Sequence, residues 1–82
     1  MCLAIPAQVV SIDEERDVAT VALAGVRKDV SIALLDAVET GDFVLVHVGY
    51  ALHKVSPEEA DRTLKLMEEA GVLAEELEEI RA

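Results

Sequence analysis

The sequence predicts a mainly β fold, a small barrel followed by a C-terminal α-helix, and three observations predict it. Short β-branched runs recur between turn signals from Gln8 to Val55. The period changes abruptly at Ser56-Pro57-Glu58-Glu59. Four or five strands joined by tight turns favour a closed barrel, because closure removes exposed edges. The 82 residues make one domain, with the barrel over residues 1–55 and a helical segment over 56–82.

Gln8 to Asp13 roughly alternates apolar and polar residues, and Val18 to Leu23 is β-branched and small. The charged stretch Asp13–Asp17 between them reads as the turn of a hairpin. Ala24-Gly25 ends the second strand, and a third follows with Val26, Lys28, Val30 and Ile32 on one face against Arg27, Asp29 and Ser31 on the other. Leu34 to Thr40 is expected to connect, with Leu34 and Leu35 tucked inward. Gly41-Asp42 turns the chain into the strongest strand, Phe43 to Val48. Gly49 interrupts that run, and Tyr50 to Val55 is expected to continue it as a bent or bulged strand.

Ser56 is placed as an N-cap, Pro57 at the first helical position and Glu59 at the third, an arrangement that satisfies otherwise orphaned backbone donors. Ala60, Leu64 and Met67 then form a stripe facing the barrel, and Gly71 is a natural stop. Leu73, Leu77 and Ile80 repeat a helical spacing, so a second short helix is expected over Val72 to Arg81.

The net charge of −10 is uneven: residues 1–55 hold 8 acids and 4 bases, net −4, and residues 56–82 hold 9 acids and 3 bases, net −6. So negative a surface repels phosphate, and Phe43 and Tyr50 are too few aromatics to make a stacking platform, so nucleic acid is not expected as a partner. Cys2 is the sole cysteine, which excludes an internal disulfide. With no apolar leader or long apolar span, the chain is read as cytoplasmic and free of membrane segments.

Two residues carry candidate chemistry. Cys2 offers a thiolate, a soft donor suited to iron or copper; removal of Met1 would add the α-amine as a second donor. Spacing alone leaves a second reading open, in which Cys2 is a small apolar residue under the barrel. His47 interrupts an apolar strand where valine would pack better, and neutral imidazole binds transition metals; the plain alternative is a half-buried histidine held by a backbone carbonyl. His53, beside Lys54 at a strand end, reads as exposed and without a site role. No nucleophile elbow or phosphate loop is present, and Glu58-Glu59 is accounted for by the helix N-terminus, so an independent enzyme is not expected.

Four stretches together resemble a known family: Met1-Cys2-Leu3-Ala4-Ile5-Pro6, Gly25-Val26-Arg27-Lys28-Asp29-Val30, Val44-Leu45-Val46-His47-Val48-Gly49-Tyr50-Ala51 and Glu59-Ala60. They look like the HypC/HupF family of [NiFe]-hydrogenase maturation chaperones. The resemblance implies an OB-like β-barrel with a C-terminal helix. It also implies a role in assembling the Fe(CN)2CO group, and the cargo expected is iron, either alone or held transiently as that fragment. The implied partners are the iron-sulfur scaffold protein HypD and the precursor of the hydrogenase large subunit. The family's functional cysteine falls on Cys2 and its histidine on His47. The competing reading is a metal-free docking adaptor. Cys2, Leu3, Ile5 and Pro6 are the expected partner contacts. Ala7 stands where the family usually has glycine, so an extended backbone is expected there. Residues after Gly71 match no motif of the family.

Overall fold

The computed structural model describes residues 4–71. Five strands, β1 (Ile5–Asp13), β2 (Val18–Leu23), β3 (Val26–Ser31), β4 (Phe43–His47) and β5 (Tyr50–Val55), precede one helix, α1 (Pro57–Ala70). They close into a barrel in the order β1-β2-β3-β5-β4, which bears out the small barrel with a C-terminal helix. The second helical spacing, Val72 to Arg81, lies outside the described residues. Among the described residues no helix is long and apolar enough to cross a membrane.

Alternation builds the interior. Ile5, Ala7 and Val9 from β1, Ala19 and Val21 from β2, Val30 from β3, Val44 and Val46 from β4, and Ala51 from β5 all point inward and are buried. β1 is the spine of this arrangement, because it pairs antiparallel with β2 along one edge and with β4 along the other. A bulge between Val9 and Ser11 lets it curve enough to serve both. Ala7, opposite Val44, lies in extended backbone and in the core, so the missing glycine causes no strain there.

Two hairpins turn on X-Gly pairs with both residues at positive φ, Ala24-Gly25 at 50° and 81° and Val48-Gly49 at 51° and 82°. Such two-residue turns match the twist of the strands they join. The second of them corrects the sequence reading. Tyr50–Val55 does not prolong the strand through Gly49; it folds back antiparallel on β4, pairing His47 with Tyr50 and Phe43 with Val55. A bulge sits in β5 instead, where Leu52 and His53 together oppose Leu45.

The segment after β3 also departs from expectation. Leu35 is half-buried against the core, but Leu34 is 60% exposed and faces solvent rather than inward. The Leu35 amide bonds to the Ile32 carbonyl at 3.0 Å, a tight turn in which adjacent side chains diverge.

Helix α1 starts as its sequence predicts. The Ser56 hydroxyl accepts from the Glu59 amide at 3.1 Å, and Gly71, at φ 76°, closes the C-terminus with its amide directed at the carbonyls of Glu68 and Met67. Ala60 and Met67 are buried, with Leu64 half-buried, and the helix rests against β1. Among the described residues its polar face carries one exposed ion pair, Lys65–Asp61 at 3.0 Å, which contributes little.

Candidate functional site

The candidate site lies at the end of the barrel where β4 finishes and β1 begins. Along β4 the burial alternates, with Val44 and Val46 inside and Phe43, Leu45 and His47 on the outer, half-buried face. His47 is therefore not a core histidine, and its imidazole lies on the barrel's outer surface at the last position of the strand. Among the described residues no hydrogen bond holds its ring. His53 forms its one bond with a backbone carbonyl, Nδ1 to the Lys54 oxygen at 3.0 Å, and is exposed, as expected.

β1 enters the fold antiparallel to β4 with Ile5 opposite Val46, the residue next to His47. The start of β1 therefore lies beside the histidine, a juxtaposition that spacing left undetermined. Cys2 and Leu3 lie outside the described residues. Ile5 and Pro6, expected as partner contacts, lie within the fold: Ile5 is 1% exposed as part of the core, and Pro6 is among the most fully buried side chains. In this placement they are part of the packed barrel and offer no surface of their own.

The sequence reading missed Tyr50. It stands directly across from His47 on the same face, and directly opposed residues bring their Cβ atoms to within ~5 Å. The signal was the two-residue spacing of Val48-Gly49, which pairs 47 with 50 once the turn is recognised as a hairpin. The turn is tied on its far side, where the Ser31 amide donates to the Gly49 carbonyl at 2.9 Å, so β3, β4 and β5 all fix the histidine's end of the strand.

Val48 at the tip combines two unfavourable features. It is a β-branched residue in left-handed backbone, at φ 51°, and it is 69% exposed. Tyr50, Leu52 and Leu34 extend the exposed apolar surface away from it. Leu34 and Leu52 line one open depression with His53 and Lys54. Replacing Val48 with asparagine, the residue preferred at this point of such a turn, is expected to stabilise the fold by about 1 kcal/mol, read as a rise of roughly 4–8 °C in Tm. An unchanged or lower Tm would show that no strain is stored there.

Among the described residues no three His, Cys, Asp or Glu side chains converge as a metal cage. His47 offers one borderline donor on this surface.

Comparison with known proteins follows the same pattern of residues. The model of the HupF/HypC family matches residues 1–67. A hydrogenase maturation factor HypC of Rhizobium leguminosarum bv. viciae is 56% identical over 72 residues, covering 88% of this chain and 95% of that protein. The hydrogenase maturation factor HypC of Cupriavidus necator is 52% identical over 69 residues, 84% of this chain and 76% of its own length. That of Azotobacter chroococcum mcd 1 is 47% identical over 75 residues, 92% and 88% of the two chains.

Proposed function

The chain belongs to the HupF/HypC family, and from that premise we propose that it is a cytoplasmic hydrogenase maturation chaperone that carries iron, as the Fe(CN)2CO fragment, to the large-subunit precursor. The observation that carries this reading is the register of β1 on β4. It brings the start of β1 in beside His47, the half-buried imidazole at the end of β4. Cys2 precedes Ile5 by three residues, a chain length of at most about 11 Å.

The donor chemistry supports the cargo. A thiolate from Cys2 and a neutral imidazole from His47 are soft and borderline ligands, suited to iron that already carries cyanide and carbonyl. The diatomic ligands fill part of the metal's coordination shell, so few protein donors are needed. A hold by few donors is one that a partner can displace. The fragment is taken up from the scaffold protein HypD and given to the large-subunit precursor, with the chaperone acting as a carrier and not as an enzyme. Exposed apolar residues beside the histidine, Val48 and Tyr50, provide contact area for these partners that buried Ile5 and Pro6 do not.

A metal-free adaptor would make the same contacts without iron. Metal analysis of the complex with HypD, isolated without oxygen, separates the two. The carrier reading expects iron beyond the scaffold's own cluster, lost when Cys2 is replaced by alanine. Equal iron in both preparations would favour the adaptor.

A further inference from the structure

Among the described residues one edge of the barrel is left without a neighbour along most of its length. β2 and β3 pair in an unbroken register from Val18–Ser31 to Leu23–Val26, but β3 meets β5 only at Ser31, opposite Tyr50. That pairing is parallel, so β5 starts level with the end of β3 and runs on away from it. Among the described residues no strand lies along the other side of Val26–Val30.

The direction of the backbone groups follows from one hydrogen bond. The Ser31 amide donates to Gly49 on the side away from β2. Backbone direction alternates along a strand, so the N–H and C=O groups of Asp29 and Arg27 also point away from β2, toward the vacant side. Arg27 and Asp29 are exposed, and with Thr20 and Lys28 they line a shallow depression. The Asp29 carboxylate is already engaged, accepting from the Thr20 hydroxyl at 2.6 Å. The bases are not, among the described residues: the ion pairs there use Arg16, Lys54 and Lys65, and neither Arg27 nor Lys28 takes part in one.

We propose that the free edge of β3, at Val26–Val30, is a strand-addition site for an extended acidic segment of a partner protein. Main-chain bonds to Arg27 and Asp29 would supply affinity, and Arg27 on one face and Lys28 on the other would select carboxylates in the added strand. On a chain of net charge −10, adjacent bases lacking carboxylate partners are where an acidic segment meets attraction rather than repulsion. A second copy of this chain is the poorer occupant because two chains of net charge −10 repel. Antiparallel pairing of two such edges about Lys28 sets that residue against its own counterpart while setting Arg27 against Asp29 on either side.

The inference rests on the reading that the chain works in complex with other maturation proteins, and the test separates the two. Amide hydrogen exchange is measured on the full chain alone, with HypD and with the large-subunit precursor. Slowing of the Arg27 and Asp29 amides by about tenfold or more in either complex is the expected result. Arg27→Pro removes an amide that makes no bond to β2 and is expected to fold, shown by circular dichroism, but to lose that complex. Should it not fold, the double variant Arg27→Glu, Lys28→Glu tests the charge selection, with association weakened about tenfold at low salt. Complexes that form with both amides still exchanging freely would overturn the edge site and leave the chaperone reading intact. Slowing that depends on the chain's own concentration would overturn it in favour of a second copy. Failure to bind either protein would overturn both.

Discussion

Replacing Cys2 with alanine is expected to reduce hydrogenase activity at least about a hundredfold in a host that depends on this chain for maturation. Loss of a group that merely orients a metal ligand costs 10–100-fold, and loss of the ligand itself costs no less. The substitution also decides between the readings that spacing left open. Were Cys2 only a small apolar residue, alanine would be a near match and maturation would persist, whereas serine would be the worse substitute. Were it a thiolate ligand, alanine and serine fail alike, because an unionised hydroxyl is a poor replacement for a soft sulfur donor. Parallel assays of the two variants, with protein levels checked, distinguish these outcomes.

Ile5→Ala carries the largest expected effect on the fold. Ile5 is 1% exposed and pairs with Val46 where β1 enters the barrel. Truncating a buried isoleucine costs roughly 2–4 kcal/mol in lost transfer energy and residual cavity. For a domain of this size that lowers Tm by at least about 10 °C. A residue acting as a partner contact behaves in the opposite way, leaving Tm in place and weakening the complex. Thermal unfolding of the isolated variant therefore tests whether this part of the N-terminal motif is structural. A shift of only a degree or two would contradict the placement of Ile5 in the core.

These expectations show which parts of the molecule were legible in the amino-acid order. The β-runs and the Ser56–Glu59 cap are local patterns, and local patterns carry their own physics: alternation for strands, a side-chain oxygen and an early proline for a helix start. The barrel followed because short strands with tight turns leave few other ways to remove edges. The reversal at Val48-Gly49 was hidden for an equally physical reason. Valine is a strand former that rarely adopts positive φ, so its presence before Gly49 reads as continuing strand, and only the surrounding barrel forces the turn. Missing the turn meant missing Tyr50 opposite His47.

The status of the N-terminal motif was obscured differently. Ile5, Pro6 and Ala7 are buried in succession, which breaks the alternation by which a half-exposed strand is recognised. Nothing in the order of those residues separates a buried run from an adhesive one. His47 is the converse case: its placement on the outer face follows from strict alternation with Val44 and Val46, and polarity alone marked it as out of keeping with the strand. That the start of β1 would lie beside it depended on the β1–β4 register, a pairing between residues some forty positions apart.

The claim that Cys2 and His47 together hold the ligated iron is tested most directly by infrared spectroscopy of the complex with HypD, purified anaerobically. Cyanide and carbonyl stretching bands are expected in the wild-type complex, absent with Cys2→Ala and weakened or shifted with His47→Ala, while both variants still bind the scaffold protein. Unchanged bands in both variant complexes, together with undiminished hydrogenase activity, would contradict it.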